Sequence, residues 1–551
     1  MAKKGKNPVV NPPKIKNGLK LGELDAEADK SLLSKCFVDT GIVEQLEEVS
    51  NPASIILGRT GSGKSALLIH LNEQCENSVL LDPSDISIRF LEHSNILEFL
   101  NELGIKLDLF YRVLWRHILA VELLKLRYDL KDETQSRNFL QRIYDSISAD
   151  KARQKAFSYF ADWGDRFWLE TDEQLKELTD KFESEIRSSI GASVPNIDVS
   201  AEGARSLSSE ERTEVTNRAS QVVSGIQIKR LNEVLDLLEE YAFNDKQKRY
   251  YILIDGLDED WAETDTRYRF IRALIEELKS FRKLTQIKII PAIRRDLLET
   301  VFDKTRDSGF QEEKYESYII KASWTKEQLK QMLSLRVNEV YRMQYTRQDV
   351  KLEDIFARKK SGGQNPEDYI IERTLLRPRD VLQYANECFV AASNETKVSF
   401  RALHTAEVNY SIKRMKSLRE EWYDFYPCLE ECLEVIRGLN AGFTRSDISG
   451  DRIMALLISL SECDHDDPSA IVAKRHLGDA EPRASEADVV SSVLQSLYHI
   501  GAIGIKLSTL DTHVWSHVDQ PSISKGDAKR TASMKVHKML HRALEIIDRP
   551  R

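Results

Sequence analysis

Gly58-Arg59-Thr60-Gly61-Ser62-Gly63-Lys64-Ser65 is the stretch whose reading decides the fold. It fits G-x-x-x-x-G-K-[ST], the pattern of a phosphate-cradling P-loop. The apolar run Ile55-Ile56-Leu57 before it reads as a buried strand, and Ala66-Leu67-Leu68-Ile69-His70-Leu71 after it reads as a helix. Three glycines let backbone N–H groups turn inward around a phosphate. The helix start adds the positive end of its dipole. In such a loop the backbone from Gly58 to Ala66 forms the cradle. Lys64 reaches the β- and γ-phosphates of a nucleotide, and the Ser65 hydroxyl ligates Mg²⁺. A glycine turn that binds nothing leaves the flanking strand and helix unexplained.

A P-loop needs an acid on a neighbouring strand, and Tyr250-Tyr251-Ile252-Leu253-Ile254-Asp255-Gly256-Leu257-Asp258-Glu259-Asp260 supplies it. Tyr250 to Ile254 is apolar and β-prone, as in a parallel strand buried on both faces. Asp255 then falls at the C-terminal end of that strand, where open α/β sheets hold their ligands. Its expected role is to hold the Mg²⁺ shell, directly or through water. Asp258 first, and Glu259 second, are the candidates to orient an attacking water. An N-K-x-D base-reading motif, which a GTPase needs, is absent. Lys360-Ser361-Gly362-Gly363-Gln364 imitates an ABC signature loop but follows the acid strand instead of preceding it, so it reads as a surface loop.

Further along, Ile287 to Arg295 reads as a strand entering a sheet-top loop. Arg294 or Arg295 there is a candidate γ-phosphate sensor or arginine finger, with a surface arginine pair as the equal alternative. The capping box Thr325-Lys326-Glu327-Gln328 opens one helix, and Leu376-Arg377-Pro378-Arg379-Asp380 opens another with Pro in its first turn. Taken alone, Arg377 and Arg379 read as surface arginines at that helix start.

The 551 residues, 31% charged and 41% apolar, suffice for two to four domains. A net charge of −9 argues against a broadly basic surface that coats nucleic acid. The six cysteines show no disulfide-framework spacing, and Cys428 and Cys432 at i, i+4 read as two small core residues, which suits a reducing cytoplasm. The N-terminus lacks the apolar stretch of a secretory signal, and no run is long and apolar enough for a membrane span. Leu107 to Tyr128 is apolar but broken by charges, so it reads as a packed helix.

Domain organisation follows the motifs. Residues 1–20 read as a disordered basic tail, 21–84 and 246–325 as the two parts of an ATPase core, and 85–245 as a helical insertion. Within the insertion Glu133 to Ser148 is helical in period, Trp163, Phe167 and Trp168 read as core, and Gly191 to Gly203 reads as a loop or hairpin. A capping box at Ser208 to Glu211 starts a helix towards Tyr241. Residues 326–422 read as a helical lid. In residues 423–551 helices alternate with a proposed hairpin, Ala502 to Leu507 with Thr512 to Val518, in an order that resembles a winged helix. The helix Ala487 to Ile500 has no Lys or Arg and is expected to expose Ser491, Ser492, Gln495 and His499. That favours a protein-contact module over a DNA reader. His537 and His541 lack a third ligand and read as surface or packing residues.

Three features together resemble bacterial P-loop ATPases near the KAP and STAND families: the loop from Gly58 to Leu67, the acidic Ile254-Asp255-Gly256-Leu257-Asp258-Glu259, and Arg377-Pro378-Arg379-Asp380. Ala26-Glu27-x-Asp29, in a lead-in to Thr40 that looks helical, adds a weaker likeness. The resemblance implies an α/β P-loop NTPase with an ASCE-type parallel sheet, a large helical insertion, a helical lid and a C-terminal winged-helix-like domain. It also implies slow ATP hydrolysis with Mg²⁺, used as a switch, and a setting in mobile elements or anti-phage defence. Arg379 matches the lid arginine that reaches the nucleotide in such proteins, and Arg377 is the neighbouring candidate. The expected protein is a cytoplasmic ATPase switch acting on an unknown protein partner, and a homo-oligomer if Arg294 or Arg295 acts in trans. The rival is a DNA-binding regulator with an accessory ATPase; a non-hydrolysing scaffold is the third reading.

Overall fold

The computed structural model describes residues 14–82, 95–128, 171–191, 198–225, 235–236, 238–243, 245, 247–259, 264–306, 311–344, 349–358, 363–463, 465–478, 483–508 and 510–548. The expected helix Glu133 to Ser148, the aromatic trio Trp163, Phe167 and Trp168, Asp260 and most of the loop at Lys360 lie outside those residues. The chain divides into two compact units. One is Asp39–Arg59 with Lys64–Ala322, and the other is Met1–Val38 with Thr60–Gly63 and Ser323–Arg551.

The first unit is built on a five-stranded parallel sheet. Its elements run β1 (Ile55–Gly58), α1 (Lys64–Gln74), β2 (Ser78–Leu81), α2 (Asp108–Tyr128), β3 (Tyr250–Ile254), α3 (Thr264–Phe281), β4 (Ile287–Arg294), α4 (Arg295–Lys304) and β5 (Ile319–Lys321). The order across the sheet is β2-β3-β4-β1-β5, with every pairing parallel. One strand therefore separates the glycine-loop strand from the acid strand, as expected of an ASCE-type sheet. β3 is buried along its whole length and β4 up to Ile293, which is why both read as unbroken apolar runs. The register sets Gly58 beside Arg294 and Leu81 beside Ile254. The ends of β1, β2, β3 and β4 thus bring Gly58, Asp82, Asp255 and Arg294 to one edge of the sheet.

Part of the long insertion packs directly on this core. Trp115 of α2 lies against Phe270 of α3 with ring centroids 4.6 Å apart, and its indole N–H donates to the Phe270 carbonyl at 2.8 Å. Arg112 and Arg116 of α2 both bind the fully buried Glu277 of α3, at 2.7 and 2.6 Å. The expected loop or hairpin between Gly191 and Gly203 is corrected at its end. Ser200 caps a short helix, Ala201–Ser206, by accepting from the Gly203 N–H. The capping box at Ser208 forms and starts the helix Ser209–Gly225.

The second unit is helical with a small sheet. It contains α5 (Lys326–Gln344), α6 (Pro378–Ala391), α7 (Phe400–Glu421), β6 (Gly442–Phe443), α8 (Asp451–Ser461), α9 (Pro468–Leu477), α10 (Glu486–His499), β7 (Ile503–Lys506) and β8 (Ser533–Val536). The lead-in before Thr40 is less helical than expected, with one short helix, Lys30–Leu33. It is held by Asp29, buried and paired with Arg336 at 2.6 Å. The small sheet is antiparallel in the order β6-β8-β7. The expected hairpin partner of β7 is corrected: β8 pairs with it, and Val514 makes only an isolated bridge to Ile505.

Two further expectations fail here. Cys428 and Cys432 are core residues as expected, but Cys428 is joined by a disulfide to Cys463, 35 residues on, a distance at which no spacing rule operates. Ser491 and Ser492, expected on an exposed face of α10, are buried. Ser491 receives the Arg445 guanidinium at 3.0 Å, and Ser492 receives the Ser469 hydroxyl at 3.2 Å. A serine ridge reads as a wet face until its partners are known. His537 and His541 are packing residues, both buried. Among the described residues no helix is long and apolar enough to cross a membrane.

Glu277 is the element of this packing most exposed to test. Glu277→Ala leaves Arg112 and Arg116 without their shared carboxylate and should cost about 3–5 kcal/mol in denaturant unfolding. A midpoint within error of wild type would show that the pair contributes nothing to holding α2 on α3.

Candidate functional site

β1 ends at Gly58, and the chain turns through Gly61 and Gly63 at φ +74° and +89° before α1 begins. A side chain at either position would be strained by the backbone alone. At Gly61 a Cβ would also meet the Arg379 Cβ at 3.0 Å. A loop whose N–H groups converge inward must turn its carbonyls outward, and those carbonyls need donors of their own. Each from Arg59 to Ser62 has one. Lys64 Nζ donates to the Arg59 oxygen at 3.4 Å, and Arg377 Nη1 to that of Thr60 at 2.7 Å. The Arg379 N–H lies 3.5 Å from the Gly61 oxygen, and Trp324 Nε1 donates to that of Ser62 at 2.8 Å. The hydroxyls of Thr60 and Ser62 are buried with no hydrogen-bond partner among the described residues.

Lys64 is buried, and burial holds its pKa below the ordinary lysine value. Asp258 and Asp255 oppose that shift, and Arg294 adds to it. Burial raises the Asp255 pKa, against the influence of the nearby Ser65 hydroxyl, the Gly256 N–H and the field of Lys64. The hydroxyl and carboxylate expected to share Mg²⁺ thus lie close to one another. Two hard oxygen donors, with a buried lysine beside them, fit Mg²⁺ carried by a nucleotide's phosphates.

The other predicted residues divide. Asp258 lies within the field of Lys64, with its Oδ2 3.7 Å from Arg294 Nε. Arg294 is gripped by Asp296, with Nη2 to Oδ2 at 2.5 Å. Glu259 is exposed, and Arg295 turns along α4 to Glu299 at 3.5 Å. Arg377 is buried, with Nη1 3.0 Å from both Glu421 carboxylate oxygens in addition to Thr60. Arg379 is exposed, and its Nε donates to the Leu24 oxygen at 3.2 Å.

Four residues escaped the sequence reading. Asp82 lies so close to Gly256 that a Cβ at that glycine would come 2.8 Å from its Oδ1. Its signal was its place after β2, next to the acid strand. Asp296 had a weaker signal, one step past the arginine pair. Trp324 directly precedes the capping box at Thr325, and Glu421 had no local signal.

Residues 327–419 match the family of the FunZ-associated C-terminal helical domain. The putative transposon gamma-delta 80.3 kDa protein of Escherichia coli strain K12 is 23% identical over 512 residues, which are 90% of this chain and 63% of that protein. The chain therefore spans less than two thirds of that relative's length. Among solved structures, the Walker-type ATPase PABY2304 of Pyrococcus abyssi aligns over 90% of this chain and 95% of its own at 14% identity, with a TM-score of 0.32. These matches name neither KAP nor STAND.

Asp255 gives a pH test. Its folded pKa lies above its unfolded one, so the ionised carboxylate is a cost to the fold that appears as pH rises through the folded pKa. Asp255→Asn should therefore melt higher than wild type at neutral pH, with the gain shrinking as pH falls through the carboxylate range. A melting difference that does not change with pH would refute the burial penalty.

Proposed function

We propose that this chain is a Mg²⁺-dependent ATPase working as a nucleotide-controlled switch. The observation that carries the reading is buried Lys64 in the field of Asp255 and Asp258, where the glycine-loop and acid strands, separated by one neighbour, end. Inward N–H groups of the loop bind the phosphate chain, and Lys64 is the cation set against its charge. Ser65 and Asp255 would hold Mg²⁺, which would supply positive charge against the terminal phosphate. Asp258 orients the attacking water and takes its proton; Arg294, fixed by Asp296, holds Asp258 in turn. Exposed Glu259 is the weaker candidate for that base. Arg294 is held more tightly by its own chain's carboxylates than Arg295 is by Glu299, so an arginine finger in trans falls to Arg295.

In this reading residues 326–422 form a lid whose Arg379 answers to the nucleotide, and residues 423–551 form a winged-helix-like module. The three helices between β6 and β7 and the β6-β8-β7 sheet support the latter. The module contacts a protein rather than DNA, because α10, the helix such folds present to a groove, is buried along most of its length. The transposon in the name of the Escherichia coli relative favours a mobile-element setting over anti-phage defence. The proposed site of action is the cytoplasm, and the partner is a protein.

Lys64→Ala should fold and lower ATP turnover about a hundredfold or more, the scale of losing one preorganised charge donor. Turnover is read as phosphate release with Mg²⁺, with mass in solution recorded with and without nucleotide. Unchanged turnover in Lys64→Ala and Asp255→Asn would sink the reading.

A further inference from the structure

The outward carbonyls of the glycine loop are held by a built device. Arg377 reaches Thr60 O through Nη1 at 2.7 Å, and the same nitrogen lies 3.0 Å from both oxygens of Glu421. Glu421 also accepts from Arg414 Nη2 at 2.9 Å, and Arg414 Nη1 lies 3.5 Å from Asp380. The four side chains are two arginines and two acids, each no more than 6% exposed, so the group is buried and balanced in charge. Trp324 holds Ser62 O in the same way, and the Arg379 N–H sits at Gly61 O.

Burying four charges is expensive, and a hydrophobic cluster of the same volume would stabilise these helices as well. What that cluster lacks is a donor for the Thr60 carbonyl. Arg377 Nε and Nη2 are buried without a hydrogen-bond partner among the described residues, so its hold on Glu421 and Thr60 rests on one nitrogen. Glu421 is the last residue of α7. Its carboxylate is what keeps Arg377 in reach of the loop.

We propose that Glu421 is a positioning residue for phosphate binding. It holds Arg377 on the Thr60 carbonyl and, with Trp324 on Ser62, keeps the loop's carbonyls outward and its N–H groups convergent before any ligand arrives. This role deepens the ATPase reading and rests on it only for its consequence in nucleotide affinity. Arg377 acts through the loop's backbone; the arginine left to meet a nucleotide is Arg379.

The test uses the full chain as wild type, Glu421→Gln, Glu421→Asp, Arg377→Met, the double variant Glu421→Gln/Arg377→Met and Lys64→Ala. Amide hydrogen exchange is measured without nucleotide on peptides covering Gly58–Ser65 and, as a control for global loosening, Tyr250–Ile254. Glu421→Gln and Arg377→Met should speed exchange in the loop and leave the control peptide unchanged. In ATP turnover each should raise KM about tenfold with kcat little altered, the scale of one charge-assisted hydrogen bond. The double variant should be no worse than either single, and Glu421→Asp, which keeps the charge if Gln fails to fold, should fall between. Loop exchange at the wild-type rate, or KM effects that multiply in the double variant, would overturn the proposal. If wild type and Lys64→Ala alike turn over no ATP while loop exchange still responds to Glu421, the ATPase reading fails and the clamp stands.

Discussion

The constraint on which this structure turns is that a peptide group has two ends. A loop that points its N–H groups at a phosphate must point its carbonyls away, and those carbonyls are strong acceptors that cannot be left dry. Here the tip from Thr60 to Ser62 meets that demand with Arg377, the Arg379 amide and Trp324, while Lys64 serves Arg59. The positive φ of Gly61 and Gly63 makes the turn, and these donors keep it. The tip belongs to the same compact unit as the helices that supply the donors, although it is continuous in sequence with β1 and α1.

The second demand is electrostatic. The sheet edge gathers Lys64 and Arg294 with Asp255, Asp258 and Asp296 in a partly buried space. Burial presses each isolated charge towards neutrality, lowering Lys64 and raising Asp255, and the opposite charges beside them resist. Such a site is costly to the fold and suited to a ligand that brings both anionic phosphate and a divalent cation.

Much of the first unit was legible because its signals are local. Tyr250 to Ile254 announced β3 to the residue, and Ile287 to Arg295 announced β4 to within one. The boxes at Ser208 and Thr325 formed as written. Continuous apolar runs and capping spacings need no knowledge of the rest of the chain. The C-terminal part was read less well. β8 displaced the expected partner of β7 because strand pairing across 27 residues is decided by which apolar face finds which, and Thr512 to Val518 looked no worse. The burial of Ser491 and Ser492 and the Cys428–Cys463 bond depend likewise on partners that are far away in sequence.

By itself the sequence determined the glycine loop and the acid strand, since each is encoded by residues within a dozen positions of one another. Tertiary structure alone decided which charges the site contains and how its loop is held. Arg294 was turned to Asp296 and Asp258, Arg377 to Thr60 and Glu421, and Asp82 was set against Gly256. A side chain's role follows from the partner within about 3 Å of it, and for Arg377 that partner lies 317 residues away at Thr60.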